Sequence, residues 1–209
     1  NKLSKSEDFS EVKKLKSPGG GFVVEALDPD GLKVEVIFGM KTKKFNKKDL
    51  IAEPFNSGGI GKETSLRKNQ PRRVGKPRSS KIKKLGHLAI NVSDPSVSFD
   101  WYNKHLGLIP SDKVELGKGS GIYVALFCRC DLGKKLTDHH SFLLQSNLSS
   151  DLISGLNHCA YEVVEVDDIF LGHEVLKDKN YKHEWGIGRH YAGSQIFDYW
   201  RSPYGHVHE

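Results

Sequence analysis

Three residues near the C-terminal end, His190, Tyr199 and Glu209, are of the types that bind metals, hold substrates or move protons. They sit at regular spacing in Gly188–Glu209, which reads GRHYAGSQIFDYWRSPYGHVHE. Asp198 to Arg201 predicts a strand, Ser202-Pro-Tyr-Gly205 a turn, and His206 to Glu209 the start of a returning strand. A bare hairpin needs none of the three polar side chains.

All ten histidines lie at or beyond His87. Strand alternation sorts them. On Leu85 to Val92, His87 shares a face with Ala89, while Leu88, Ile90 and Val92 form the apolar face. His158 shares its face with Ala160 and Glu162. In the last strand Glu209 lies with Val207, and His206 and His208 point the other way. A lone histidine in a strand is more often a structural residue than a ligand. Two at matching positions, with a carboxylate closing the last strand, would supply the two-His-one-carboxylate set that suits Fe(II) and leaves coordination positions open. His105 and His173 on predicted helices and His183 in a loop read as solvated surface. Trp185 and Trp200 read as core packing, with the wall of an aromatic pocket as the other use.

The elements that must position these residues follow from pattern. Ser4 to Glu7 has the form of a capping box, and Phe9, Val12 and Leu15 predict a helix ended by Pro18 and Gly19. Phe22 to Leu27 and Leu32 to Phe38 predict a hairpin around Asp28-Pro-Asp-Gly31. From Lys41 to Lys84 apolar periodicity lapses, as in a linker or surface strap. Leu85 to Val92 then predicts a strand, followed by a helix from Pro95 to His105, capped by Asp94 and stopped at Gly107. Strands are expected over Gly121 to Cys128 and His139 to Gln145, with Pro110 to Ser120 a pocket-wall loop. A second round opens with Leu156 to Val163, continues in an Asp167-capped helix to about Lys177, and closes on the opening stretch.

LGHLAINV at 85–92 and LNHCAYEV at 156–163 share Leu, His, Ala and Val at the same places, the mark of an internal repeat. Pro29, Gly31 and Glu35 echo the spacing of Pro203, Gly205 and Glu209. The expected organisation is residues 1–40 as the last helix and hairpin of a preceding βαβββ domain, 41–84 as a basic linker, and 85–209 as a complete pair of such modules, which the resemblance given below makes the catalytic, metal-binding domain beside a non-catalytic one. The two modules of 85–209 span about 85–145 and 156–209. A start at Asn1 and an end on a ligand-type residue suggest a fragment with both natural ends missing.

The 209 residues can bury one substantial core. No run reaches the roughly 18 apolar residues of a membrane span, so no membrane partner is expected. Cys128, Cys130 and Cys159 are too few for a disulfide framework and lack zinc-type spacing, which suits a reducing, cytoplasmic setting. The net charge of +6 comes from Arg67 to Lys84, a stretch rich in Lys and Arg without an acid; the rest is slightly acidic. Aromatic interleaving is missing there, so nucleic acid is not the expected partner.

GHxAxxV at 86–92, NHxxYEV at 157–163 and the closing stretch resemble the type I extradiol ring-cleaving dioxygenases of the vicinal oxygen chelate (glyoxalase/bleomycin resistance/dioxygenase) superfamily. That family has a His, a Tyr nine residues on, a Pro-x-Gly turn and a Glu ten residues after the Tyr; His190, Tyr199, Pro203, Gly205 and Glu209 keep this spacing. Two positions depart from the family: Asp198 replaces an aliphatic or Phe residue, and Ser202 an acid or amide.

The resemblance implies an α+β fold whose paired βαβββ modules form an open, funnel-like mixed β-barrel with helices outside. It implies His87, His158 and Glu209 as ligands of Fe(II), or less commonly Mn(II). His140 takes the position of the acid/base histidine, and His139, on the other strand face, a structural one. His190 and Tyr199 would hydrogen-bond the oxygens of a catechol-type substrate. The implied activity, in aromatic hydrocarbon catabolism, inserts both atoms of O2 next to the diol with meta ring cleavage, in an enzyme expected to be a homo-oligomer. Two other readings keep the fold: a glyoxalase- or epimerase-type metalloenzyme, and a non-catalytic small-molecule binder.

Overall fold

A computed structural model describes residues 2–44, 76–147 and 153–209. Most of the basic strap, including Arg67, Lys68, Arg72 and Arg73, therefore lies outside the described residues. The described chain is α+β, mostly strand with two α-helices. It divides into two compact units, residues 1–44 with 87–158 and residues 45–86 with 159–209.

In the first unit, β1 (Lys13–Lys14), β2 (Phe22–Leu27) and β3 (Lys33–Phe38) form a three-stranded sheet. The β2–β3 hairpin turns where expected, with Gly31 N–H donating to the Asp28 carbonyl at 2.9 Å. The helix predicted over residues 4–15 is replaced by a single 3-10 turn, Leu3–Lys5, and by β1. Its residues have stronger partners in the sheet. Ser10 exchanges hydrogen bonds with the Glu25 backbone, at 2.7 Å to the carbonyl and 3.0 Å from the amide, and Phe9 is buried against Trp101.

The next elements are β4 (Ile82–Val92), α1 (Pro95–Leu106), β5 (Leu108–Glu115), β6 (Tyr123–Cys130) and β7 (Phe142–Ser146). Helix α1 starts and stops as its sequence predicts. The Asp94 carboxylate accepts from Ser96 N–H at 2.7 Å, and Gly107 takes the left-handed conformation, φ 68°, that ends the helix cheaply only at glycine. Pro110 to Glu115, expected as loop, belongs to β5, which pairs antiparallel with β6 despite its proline because β5 is an edge strand. Strand β7 pairs in parallel with β4 from Leu88↔Phe142 to Val92↔Ser146. Ile90, Val92, Tyr102, Leu108, Leu126, Cys128 and Leu144 make the core.

Buried Asp28 anchors the hairpin turn to α1. Its Oδ2 accepts from the Tyr102 hydroxyl at 2.9 Å, and its Oδ1 from Leu32 N–H at 2.8 Å. Burial, with the carboxylates of Asp28 and Asp30 close by, pushes the Tyr102 hydroxyl far above the ordinary phenol range. Tyr102→Phe is expected to cost about 1–3 kcal/mol of stability in chemical denaturation, because it leaves a buried carboxylate short of a donor. A loss under a few tenths would refute that anchor.

In the second unit, β8 (Gly155–Val163), whose first residues belong to the first unit, leads to α2 (Val166–Asp178), β9 (Lys182–Arg189), β10 (Ile196–Arg201) and β11 (Val207–His208). Strand β11 lies between β8 and β10, with β9 outside β10. The order strand, helix, three strands thus occurs at β4–β7 and again at β8–β11. The N-cap of α2 is Glu165 rather than Asp167. Asp168 is fully buried because Arg78 reaches it, Lys81 N–H donates to its Oδ1 at 3.3 Å, and Ser80 donates to its carbonyl at 2.8 Å. Lys83 and Lys84 pair with Glu162. The end of the basic strap is thus matched by acids of its own unit.

Candidate metal centre and substrate site

In the first unit His87 and His158 converge, each carried on a strand, with their Nε2 atoms 2.9 Å apart. His158 is buried, and its Nδ1 lies 2.7 Å from Asn157 Oδ1. Asn157 is itself held by donating to Asn91 Oδ1 at 2.9 Å. An amide oxygen only accepts, so His158 carries its proton on Nδ1 and turns the Nε2 lone pair toward His87. An outer hydrogen bond that fixes the tautomer and aims the ring is the usual support of a metal-ligating histidine. Two imidazole Nε2 atoms presented this way fit a divalent first-row ion.

His140 lies beside this pair, its ring centroid 4.4 Å from that of His87 and 5.0 Å from that of Phe127. It was expected inside a strand, but β7 begins only at Phe142. The first rung of that end is Ser141 N–H to the Cys128 carbonyl, at 2.9 Å, so His139 and His140 precede the ladder and their rings meet. The placing of His139 on the opposite face of a strand is therefore corrected. His139 Nδ1 is 3.0 Å from His140 Nδ1, and His139 Nε2 is 2.9 Å from Asp112 Oδ2. A carboxylate accepts, so a neutral His139 donates from Nε2 and accepts at Nδ1. His140 then donates from Nδ1, which makes Nε2 its basic nitrogen. Nothing in the sequence marked Asp112, on a strand expected to be a loop.

In the second unit His190 Nε2 is 3.0 Å from Glu209 Oε1, and the Tyr199 hydroxyl is 3.4 Å from the same nitrogen. Burial, then the charge of Glu209, raises the Tyr199 hydroxyl well above its ordinary range, so it remains a donor at neutral pH. Trp185, expected as core, is not core. It is largely exposed on β9 and stacks over Tyr199, ring centroids 5.6 Å apart at 18°. Trp200 is core. The Glu209 backbone donates to the Cys159 carbonyl at 2.9 Å and accepts from Tyr161 N–H at 3.0 Å, which sets Glu209 in parallel register with Ala160. His208 stacks on Tyr161 instead.

Of the three expected surface histidines, His183 is exposed as expected, while His105 and His173 are not. The His105 side chain is 4% exposed, 3.0 Å from Asp8. His173 and His183, the latter in β9 rather than a loop, both meet Asp198. The three cysteines are free thiols, Cys128 buried, Cys159 half-buried and Cys130 exposed.

Residues 84–209, more than half of the chain, match the family described as the Glyoxalase/Bleomycin resistance protein/Dioxygenase superfamily. The chain belongs to that superfamily. Metapyrocatechase 2 of Cupriavidus necator is 27% identical over 95% of this chain and 58% of its own length. A 3-methylcatechol 2,3-dioxygenase of Pseudomonas putida is 25% identical over 88% of this chain and 53% of its own length. The chain thus spans little more than half of the superfamily members it matches. Among solved structures, a Mn(II)-bound glyoxalase from Novosphingobium aromaticivorans superposes with TM-score 0.65 at 25% identity, over 95% of this chain and 52% of that one. No described helix is long and apolar enough to cross a membrane.

Proposed function

We propose that the protein is an Fe(II)-dependent extradiol dioxygenase that cleaves a catechol-type diol, with His87, His158 and Glu209 as the metal ligands. The observation that carries this reading is the anchored His87–His158 pair, whose two Nε2 atoms meet at 2.9 Å. Glu209 supports it as third ligand, because its register with Ala160 puts it on the β8 face that alternation gives His158. The two named catechol dioxygenases among the relatives support it as well. His87, His158 and Glu209 would hold Fe(II), or Mn(II) in its place, which would supply the redox chemistry that lets a catechol react with O2.

The chain's own groups do the rest. Tyr199, kept protonated, donates to a substrate oxygen, and His190 holds the neighbouring charge. His140 Nε2 takes the proton of the second hydroxyl and returns it as the ring opens. The paired modules would enclose these groups in a funnel-like barrel. A glyoxalase-type metalloenzyme is the second reading, favoured by the Mn(II)-bound structural relative; the set His140, His190 and Tyr199 argues for the dioxygenase.

The test is anaerobic Fe(II) loading of the full-length protein followed by air and a panel of mono- and bicyclic catechols. A yellow ring-opened product with matching O2 uptake is expected. A folded, iron-loaded protein that consumes no O2 with any of them would overturn the assignment.

A further inference from the structure

Asp198 is one of the two residues that depart from the family pattern, and the second unit gives it unusual company. His173 Nδ1 on α2 lies 2.9 Å from its Oδ2, and His183 Nε2 on β9 lies 2.8 Å from its Oδ1. One ligand atom from each of the three lies within 4.8 Å of the others. The Asp198 side chain is only 8% exposed, those of His173 and His183 20% and 34%. Trp200 Nε1–H donates to Asp198 Oδ2 at 2.5 Å. The residues come from three elements and are 10 and 15 positions apart, so the fold rather than local sequence gathers them.

A carboxylate this buried must be compensated by positive charge. Its polar partners among the described residues are two imidazoles and an indole, with no lysine or arginine among them, so a cation held by the two imidazoles can meet that need. The β9–β10 ladder shifts register on both sides of the Asp198–Tyr199 pair, between Phe197 and Asp198 and between Tyr199 and Trp200. Such irregularities re-aim side chains. Here Asp198 turns toward α2, while Tyr199 stacks with Trp185.

We propose that His173, His183 and Asp198 form a second metal site, for a zinc-type divalent ion, between α2 and the β9–β10 ladder. Two imidazole nitrogens and one carboxylate oxygen are a zinc donor set with one place left for a water. The Trp200 ring, 5.1 Å from His173 and 4.6 Å from His183 by centroid, closes one side, and its N–H orients the carboxylate as outer partners of metal ligands do. The ion neutralises Asp198 and ties α2 to β10, which carries Tyr199, and to β9, which leads into His190.

Co(II) is a suitable probe, since its visible bands report four-coordination. Titration of the chelator-stripped full chain under nitrogen is expected to lose one equivalent of Co(II) in His183→Ala, whether or not His158→Ala removes another. His183→Cys is expected to keep that equivalent and add a thiolate-to-Co(II) charge-transfer band in the near ultraviolet. The same stoichiometry in His183→Ala as in the parent overturns the proposal. So does a folded His183→Cys protein without the thiolate band, which decides the matter if His183→Ala does not fold.

Discussion

Replacing His158 with alanine is expected to reduce bound iron to background and ring cleavage to below detection, with far-ultraviolet circular dichroism unchanged. The side chain is buried, its Nδ1 is anchored by Asn157, and its Nε2 lies 2.9 Å from that of His87, so the substitution removes one of the two imidazole nitrogens that meet there. Truncating a buried side chain also costs stability, about 0.5–3 kcal/mol, and the fold must be checked separately. Glu209→Ala is expected to act in the same direction. Asn157→Ala provides the graded control. It keeps all three ligands but frees the His158 ring, and is expected to weaken metal affinity about 10–100-fold. If iron content in His158→Ala and Glu209→Ala equals that of the parent, the ligand assignment fails, and His158 is a structural residue whose loss shows only in the denaturation midpoint.

How much of this was legible in the sequence depended on whether a signal was local. The β2–β3 hairpin and α1 were readable because their stops and starts are written in adjacent residues: Asp28-Pro-Asp-Gly31, then Asp94-Pro95 and Gly107. The parity of His87 and His158 was readable because strand alternation needs only the strand itself. What failed was non-local. The capping-box pattern at Ser4 to Glu7 caps no helix, because pairing of Ser10 to Lys14 with β2 outweighed a short helix. β5 looked like a loop because its proline and charges suit an edge strand as well as they suit a turn. His173 and His183 looked solvated because nothing in their neighbourhoods points to Asp198, up to 25 residues away. The clue that did exist was Asp198 itself, a charged residue in a predicted strand.

His140→Ala is expected to lower kcat about 10²–10⁴-fold while iron stays bound, the loss typical of a missing general acid–base group. The case rests on the orientation chain. Asp112 accepts from His139, His139 accepts from His140, and His140 is thereby held in the tautomer whose basic nitrogen is Nε2. Both Asp112 and His139 are exposed, so each bond alone contributes little to stability, and their value lies in fixing which nitrogen of His140 carries the proton. Asp112→Asn and His139→Phe are therefore expected to reduce kcat less than His140→Ala does, to leave KM near the parent value, and to displace the pH–rate profile. A positioning role predicts that split, whereas general destabilisation would lower the denaturation midpoint and leave the profile in place. Two outcomes would remove His140 from the mechanism: iron lost in parallel with activity in His140→Ala, which would make it a ligand, or a kcat within about twofold of the parent, too small for a group that carries the proton.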